Sequence, residues 1–281
     1  MGRDYYEASP HARAALDEAE AVLGEGFLDR LFTGSEQELR DTRTAQVALV
    51  AVGVAIARHL FATDVAPDGA AGHSVGEIAA LVATGALEIS DALRLTRERA
   101  RLMAEAPEGG TMAAVLGLNA EGVAAALPEG AEIANYNGPG QTIISGGTEA
   151  IEAAKTTLVD AGAKRVLPLN VSGAFHSSLM KPAALKLKDY LDAVPLRRPA
   201  LCFVSSVTGA QETEPETIKE LLWKQLYSPV RWTDVMAALG PVRAIEAGPG
   251  KVLQRLAKRM DDGPEVSGAG TLEQAQALAL I

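Results

Sequence analysis

The first hundred residues carry hydrophobic positions at the spacing of α-helices. One helix is predicted over 11–23 from the apolar positions Ala14, Leu16, Ala19 and Val22. A longer apolar helix is predicted over 42–59, and a further helix over 90–105. Ser35 and Glu38 have the spacing of a capping box, which indicates that another helix starts between the helices predicted over 11–23 and 42–59.

The sequence after residue 106 changes to short apolar runs that alternate with helical segments. The Pro-Glu-Gly-Gly sequence at 107–110 indicates a domain boundary. Strands are predicted at 112–116, 131–136, 141–145 and 164–169, and helices at 119–127 and 148–161. This β-α-β-β-α-β order is typical of a ferredoxin-like domain. We therefore predict a small ferredoxin-like domain at 109–171, inserted into a larger domain made of residues 1–108 and 172–281.

The larger domain continues with the same alternation of strands and helices. Strands are predicted at 201–207 and 242–246, and helices at 182–191, 215–226, 251–259 and 272–281. Strands that alternate with helices favour a mostly parallel sheet covered by helices on both faces. The predicted fold class is therefore α/β.

The pentapeptide Gly-His-Ser-Val-Gly at 72–76 has the Gly-x-Ser-x-Gly form of a nucleophile elbow. Its small residues allow a tight turn between the short apolar run 69–71 and a helix predicted at 77–83. The first N–H groups of that helix point towards the serine hydroxyl. Ser74 is therefore the candidate nucleophile, unless the motif arose by chance in a chain rich in glycine and alanine.

A nucleophilic serine needs a base, and the chain has 4 histidines. His11 and His59 are expected on the surfaces of helices, and His73 is expected to point away from Ser74 and to line the pocket. His176, in a loop of small residues after a strand, is the candidate base. A hydrolase triad would place an acid between the serine and the histidine in the chain, and candidates such as Glu149 and Asp160 fall in the inserted domain, which argues against a standard carboxylate triad. The alternative is that a backbone carbonyl orients the base.

One arginine of the helix at 90–105 is expected to face inwards. The helix carries Arg94, Arg97, Arg99 and Arg101. Helical periodicity cannot keep all of them on one face, and Arg99 falls among apolar positions such as Leu95 and Leu102. A guanidinium that faces a cleft matches the geometry of a carboxylate. Arg99 beside Ser74 therefore indicates an acyl group that carries its own carboxylate.

Composition narrows the function further. A net charge of -10 argues against nucleic acid as the main partner, and a single cysteine, Cys202, excludes a disulfide framework and a cysteine-based metal site. We expect no membrane span, because no apolar run reaches membrane-spanning length, and no signal peptide at the N-terminus. The expectation is a cytoplasmic protein without a bound metal.

Several sequence blocks together resemble one family. They are AGHSVGE at 71–77, RERARLM at 97–103, NYNGPGQ at 135–141, GAFHS at 173–177, QLYSPVRW at 225–232 and EAGPGKVL at 246–253. In content and order these blocks resemble the malonyl-CoA:acyl carrier protein transacylases of fatty-acid synthesis and the acyltransferase domains of polyketide synthases. The family's fold is a hydrolase-like α/β domain with a ferredoxin-like insert, which agrees with the elements predicted above.

The resemblance implies a role for each matching residue. Ser74 would accept the acyl group, His176 would be its base, and Arg99 would hold the free carboxylate of malonyl. The backbone carbonyl of Gln225 would orient His176, and the backbone N–H of Val75 would donate to the oxyanion.

The resemblance also implies residues that line the cleft. Phe175 resembles the form associated with malonyl rather than with bulkier methylmalonyl units. His73, Asn135 and Asn137 would lie near the cleft between the domains, with the two asparagines close to the pantetheine arm. Ser205 and Ser206 stand where the family often has asparagine.

The implied partners are malonyl-CoA and acyl carrier protein, and the implied oligomeric state is a monomer. The CoA thioester is a substrate, so no cofactor is expected. Acyl carrier protein is acidic, so a basic patch is expected beside the cleft, from Lys164, Arg165, Lys181, Lys186 and Lys188.

The sequence departs from the family at its beginning. The family opens with a strand and a Gly-Gln-Gly turn whose glutamine is the second oxyanion donor, and this sequence begins just after that turn. The expectation is that the native start lies upstream. Two alternatives stay open: an inactive chain that binds carrier protein, and a serine thioesterase or esterase.

Overall fold

The N-terminal part of the protein is a layer of helices, as its apolar periodicity predicts. The structure is a computed structural model and describes residues 1–106 and 109–278. The helices are α1 (Arg3–Ala8), α2 (Pro10–Leu23), α3 (Phe27–Thr33), α4 (Glu36–Arg40) and α5 (Thr42–Ala62). The predicted capping box is confirmed, because the Ser35 hydroxyl accepts from the Glu38 N–H and the Glu38 carboxylate accepts from the Ser35 N–H.

Helix α5 is the central helix of this layer. It is 21 residues long and contains an 18-residue stretch with a mean hydropathy of 1.7, so the expectation that no apolar run reaches membrane-spanning length is wrong for this segment. However, 67% of that stretch is buried inside the protein, where α5 packs against α2 and against the next two helices of the chain. Its apolar length is therefore explained by a position in the core.

The chain then forms the first strand and the two helices that carry the candidate site. They are β1 (Gly69–Ala71), α6 (Gly76–Ala83) and α7 (Ile89–Ala104). The predicted boundary residues 107 and 108 lie outside the described residues.

A four-stranded antiparallel sheet follows, with two helices on one face. Its elements are β2 (Gly110–Leu116), α8 (Ala120–Ala126), β3 (Ala131–Gly138), β4 (Gln141–Gly147), α9 (Thr148–Asp160) and β5 (Arg165–Pro168). The strand order is β3-β4-β2-β5, and each neighbouring pair is antiparallel. This confirms the predicted ferredoxin-like pattern. A separate cluster of buried residues, which includes Val115, Ile144 and Leu158, joins α8 and α9 to the sheet. The exact division into domains at 109 and 171 stays a prediction.

The remaining chain alternates helices and short strands. After a 3-10 helix at Ser178–Met180 come α10 (Lys181–Leu191), β6 (Cys202–Val204), α11 (Pro215–Lys224), α12 (Trp232–Leu239), β7 (Arg243–Glu246), α13 (Val252–Ala257), β8 (Glu265–Gly268) and α14 (Leu272–Leu278). Helix α12 and strand β8 were not predicted from the sequence. The predicted end of the last helix, residues 279–281, lies outside the described residues.

The strands of the larger part are parallel, as predicted, and they form two short pairs. β1 pairs with β6 and β7 pairs with β8, both in parallel. In parallel α/β sheets, functional residues gather beyond the carboxyl ends of the strands. Here the Gly-x-Ser-x-Gly segment follows the end of β1, and Ser205 and Ser206 follow the end of β6.

Candidate active site

Ser74 lies on a strained turn between β1 and α6, as the elbow motif predicts. Its φ is 52°, in the left-handed region that residues with a side chain seldom adopt. The turn closes so tightly that a Cβ at Gly72 would lie 2.1 Å from the backbone carbon of Gly76. Glycine at 72 is thus required by backbone packing, and the strand–turn–helix geometry projects the Ser74 side chain out of the turn.

His176 meets Ser74 across the site. Its Nε2 lies 2.8 Å from the Ser74 Oγ. On the other side of the ring, Nδ1 lies 2.8 Å from the carbonyl oxygen of Gln225 and 3.2 Å from that of Ser228. Because carbonyl oxygens only accept, the proton of a neutral imidazole belongs on Nδ1. Nε2 is therefore free to accept the proton of the Ser74 hydroxyl.

The C-terminal end of α11 holds His176 in place. Gln225 is the C-cap residue of this helix, and the backbone N–H of His176 donates to the next carbonyl, that of Leu226, at 3.0 Å. The last carbonyls of a helix lack partners within the helix and carry a partial negative charge, which favours a cation. The sequence candidates Glu149 and Asp160 do not contact His176; both are exposed on α9. Carbonyl oxygens therefore occupy the place of a triad carboxylate.

Arg99 is buried beside the serine. It is 2% exposed, which confirms the predicted inward position. Its Nη2 donates to the side-chain oxygen of Gln225 at 2.9 Å and to the Ser74 Oγ at 3.3 Å, and its Nη1 donates to the side-chain oxygen of Gln46. A guanidinium thus lies within one hydrogen bond of the nucleophile.

Burial and neighbouring charges determine the charge states of His176 and Arg99. Burial, and then the positive charge of Arg99, lower the pKa of His176 to about 3, so its imidazole is neutral at pH 7. Burial lowers the pKa of Arg99 to about 10, and the negative charge of Glu77 acts in the opposite direction. Arg99 therefore stays a cation. A neutral base and a buried cation face the same hydroxyl.

Two buried polar residues of this network, Gln46 and Glu77, were not predicted from the sequence. Ser206, which stands where the family often has asparagine, is also buried. Glu77 accepts hydrogen bonds from the side chains of Ser206 and Gln225. A glutamine or glutamate inside an apolar helical segment was the signal that could have identified the first two.

His73 turns towards the antiparallel sheet and away from Ser74, as predicted. Its Nε2 lies 3.0 Å from Oδ1 of Asn137 and 3.2 Å from Nδ2 of Asn135, both on β3. The His73 ring packs against Trp232, with 5.3 Å between centroids. Burial lowers the pKa of His73, so this residue joins the elbow to β3 as a neutral side chain.

The remaining predicted residues are placed as follows. The Val75 N–H, next to Ser74 at the start of α6, has no protein acceptor in the part of the chain that the structure describes. Phe175 packs between the main core and the buried face of the antiparallel sheet. His11 is exposed, as expected. His59 is not a plain surface residue, because its Nδ1 lies 3.0 Å from the Ser9 hydroxyl and its ring packs edge-on against Tyr5.

No group of three or more histidine, cysteine or acidic residues arranged to hold a metal occurs within residues 1–106 and 109–278.

A serine on an elbow, a neutral histidine that accepts from it and a parallel α/β framework together define a serine-dependent acyl-transfer enzyme. Comparison with known proteins gives the family. The chain belongs to the acyl transferase domain family, which matches residues 1–278.

Individual relatives agree with this assignment. The malonyl CoA-acyl carrier protein transacylase of Bacillus subtilis is 42% identical over 272 residues, covering 93% of this chain and 86% of that protein. The enzyme of the same name from Escherichia coli K12 is 41% identical over 273 residues, covering 93% and 88%. A solved malonyl-transacylase, in complex with its type II polyketide synthase acyl-carrier protein, superposes with a TM-score of 0.94 at 36% identity, covering 100% of this chain and 94% of that one.

Proposed function

We propose that this protein transfers a malonyl group from malonyl-CoA to the phosphopantetheine thiol of acyl carrier protein, through a malonyl ester on Ser74. One observation carries the proposal. The Ser74 Oγ lies 2.8 Å from the His176 Nε2 and 3.3 Å from the Arg99 Nη2. A nucleophile between a base and a buried cation suits an acyl donor that ends in a carboxylate.

The first half-reaction acylates the serine. His176 Nε2 takes the hydroxyl proton while Oγ forms a bond to the thioester carbonyl carbon. The tetrahedral intermediate then collapses, the carbon–sulfur bond breaks, and CoA leaves with the proton from His176. The imidazolium formed in between is stabilised by the carbonyls of Gln225 and Ser228 at the end of α11.

The second half-reaction uses the same groups in reverse. The carrier thiol gives its proton to His176 and attacks the ester carbon. The bond from that carbon to Oγ breaks, and Ser74 recovers its proton from His176. The backbone N–H of Val75 donates to the developing oxyanion in both halves, since it follows the nucleophile directly and is not used elsewhere in the described chain.

Arg99 provides selectivity for malonyl. The N–H groups of its guanidinium donate to the neutral oxygens of Gln46, Gln225 and Ser74. A malonyl carboxylate replaces neutral acceptors with a charged one, which strengthens those hydrogen bonds, whereas an acetyl group offers no acceptor there. The free energy gained is specific to the dicarboxylic acyl group.

The walls of the cleft complete the proposed substrate site. Asn135 and Asn137 reach the elbow from β3, which is also joined to the larger part of the protein by the bridge between Asn135 and Val230. We assign to the two asparagines the polar contacts with the pantetheine arm, and to Phe175 the wall that limits bulk near the acyl carbon.

The carrier protein would dock on a surface that we call the docking surface, formed by β5, the 3-10 helix and α10. It presents the exposed cations Lys164, Arg165, Lys181, Lys186 and Lys188. Within the described residues, the salt bridges found involve none of these cations. The same segments of the chain carry the exposed apolar side chains Leu167, Leu179 and Leu185. Exposed cations outside salt bridges, together with exposed apolar side chains, suit an acidic protein partner.

A monomeric enzyme in the cytoplasm that needs no resident cofactor or metal completes the proposal. CoA then enters the reaction as part of the substrate and not as a bound cofactor.

Intact-protein mass spectrometry after brief incubation with malonyl-CoA tests the proposal, with Ser74→Ala as the control. We expect a malonyl adduct on the wild-type protein and none on Ser74→Ala. Rapid hydrolysis of malonyl-CoA without an acceptor would point to a thioesterase instead. Binding of carrier protein without any acyl-serine would point to a binding module.

A further inference from the structure

Glu77 is a buried acid that the proposed mechanism does not use. It lies in the first turn of α6, three residues after Ser74, and is 1% exposed. A buried carboxylate is unfavourable unless donors or a cation compensate its charge. Its Oε2 receives hydrogen bonds from the Gln225 Nε2 at 2.5 Å, from the Ser206 Oγ at 2.5 Å and from the Ser206 N–H at 3.3 Å.

These contacts define the charge of Glu77. All three groups donate to the same oxygen, which suits an acceptor-only carboxylate. Burial raises the pKa of Glu77, while the hydrogen bonds from Ser206 and Gln225 oppose that shift. The Gln225 amide links Glu77 to Arg99, and the negative charge of Glu77 raises the pKa of Arg99 against the effect of burial. Glu77 is therefore the internal counter-ion of the substrate-binding arginine.

Gln225 connects this counter-ion to both functional groups. Because a carboxylate only accepts, Glu77 selects the nitrogen of the Gln225 amide, and the amide oxygen must then point the other way. That oxygen accepts from the Arg99 Nη2 at 2.9 Å. The backbone carbonyl of the same residue accepts from the His176 Nδ1 at 2.8 Å. One residue thus contacts the arginine with its side chain and the base with its backbone.

We propose that Glu77 is a positioning residue, whose carboxylate fixes the Gln225 side chain and thereby sets the placement of both Arg99 and His176. The inference rests on the proposed function, because it assigns Arg99 to the malonyl carboxylate and His176 to the proton. It predicts that a change at Glu77 affects every acyl donor through His176, and malonyl additionally through Arg99.

The experiment measures single-turnover acylation of Ser74 by malonyl-CoA and by acetyl-CoA, with rates expressed per active site from the final adduct amplitude. For Glu77→Gln we expect acetylation to slow about tenfold and malonylation about 100-fold, since small misplacements of reacting groups have effects of this size. Gln225→Ala should likewise slow malonylation more than acetylation. Ser206→Ala is the matched control: it removes another donor to the same carboxylate and the long 3.4 Å contact from Gln225 Nε2 to Ser206 Oγ, but it keeps the 2.5 Å hydrogen bond from Gln225 to Glu77. The malonyl-to-acetyl ratio should therefore stay close to the wild-type value.

A charge exchange separates the two effects. In the double variant Glu77→Gln with Gln225→Glu, an amide and a carboxylate again face each other, so the backbone at 225 is anchored and acetylation should recover. Malonylation should stay low, because the new carboxylate pairs with Arg99 directly and competes with the substrate.

Equal losses for the two substrates in Glu77→Gln, or a double variant without recovery of acetylation, would show that Glu77 only supports the fold. Because rates are counted per acylated serine, a misfolded fraction does not alter the result. A wild-type protein that takes no malonyl adduct would overturn the proposed function itself. A wild type that is acylated, with variants that show no difference between substrates, would overturn the role of Glu77 alone.

Discussion

The backbone carbonyl of Gln225 accepts a hydrogen bond from the His176 Nδ1 at 2.8 Å, where a hydrolase triad has an aspartate or glutamate. A carbonyl fixes the tautomer as a carboxylate does, but it adds only a partial charge. The full cation of Arg99 lies nearby and lowers the pKa of His176, in addition to the larger effect of burial. The site therefore keeps its base neutral while a cation is present.

This electrostatic balance predicts a pH dependence of stability. Burial and Arg99 depress the pKa of His176 from 6.5 to about 3 in the folded state, so below pH 6.5 the unfolded chain binds a proton that the folded protein does not. The contribution of His176 to the free energy of unfolding is fully present above pH 6.5. It decreases as the pH falls towards the pKa that His176 has in the folded protein. Between pH 7 and pH 5 the loss should be about 2 kcal/mol in the free energy of unfolding.

Urea unfolding of the wild type and of His176→Gln at both pH values checks this expectation. The glutamine variant cannot titrate at this position, so its free energy of unfolding should fall by about 2 kcal/mol less over the same interval. His73, whose pKa is also lowered, contributes equally to both proteins and cancels in the comparison. Parallel pH profiles for the two proteins would contradict the depressed pKa of His176.

The sequence was sufficient to predict those site residues whose signal is local. Ser74 lies in a short motif with its own turn geometry, and the burial of Arg99 follows from the periodicity of a single helix. The ferredoxin-like part was predicted for the same reason, since its strands are long enough to show a pattern and are joined by short connections.

The polar network was not predicted, because it depends on contacts between distant parts of the chain. Glu77 and Gln225 are 148 positions apart, and Arg99 and Gln46 are 53 apart. Local periodicity indicates that a position is buried, but not which side chain it meets. The strand β8 was missed for another reason: its four residues, Glu265–Gly268, are too few to show an alternation.

Arg99→Ala should reverse the acyl preference of the protein. The variant loses the cation that pairs with the malonyl carboxylate and leaves the side-chain oxygens of Gln46 and Gln225 without their donor. We expect kcat/KM for malonyl-CoA to fall by about 100-fold or more, with a much smaller effect on acetyl-CoA. Steady-state transfer from each thioester to carrier protein is the measurement.

Arg99→Lys is the matched variant for this prediction. It keeps the charge but loses the planar pair of donors, so it should recover only part of the malonyl rate. Equal losses for malonyl and acetyl in Arg99→Ala would show that the arginine supports the site generally and does not read the acyl carboxylate.

The two glycines of the elbow should differ sharply in their tolerance of alanine. A Cβ at Gly72 would lie 2.1 Å from the carbonyl carbon of Gly76 and 2.2 Å from the Glu77 nitrogen, whereas a Cβ at Gly76 would meet nothing within 4 Å. Gly72→Ala should therefore destabilise the protein by about 3 kcal/mol or more, because backbone atoms have to move. Gly76→Ala, at the first position of α6, should be neutral or slightly stabilising, by up to about 1 kcal/mol.

Thermal unfolding of the two variants beside the wild type tests this difference. The same alanine is added to the same motif in each case, so composition effects are matched. Similar melting temperatures for both variants would show that the turn at Ser74 can relax, and that the strain at φ 52° is not enforced by Gly72.

Charge reversal on the docking surface should affect only the second half-reaction. Lys164 and Lys181 are exposed, and neither is among the residues that form salt bridges within the described chain. In Lys164→Glu with Lys181→Glu, attraction for an acidic carrier becomes repulsion, so the KM for carrier protein should rise about tenfold at low salt. Formation of malonyl-Ser74 should keep its wild-type rate, because both residues lie outside the Ser74 site.

Arg40→Glu on α4 is the control, since it reverses an exposed charge on a helix that is not part of the docking surface. It should leave the KM for carrier protein unchanged. Raising the ionic strength should reduce the difference between the double variant and the wild type, because exposed charges are screened over about 8–10 Å at physiological salt. A KM that changes neither with the double reversal nor with salt would place the carrier on another face of the protein and would remove β5 and α10 from the proposed interface.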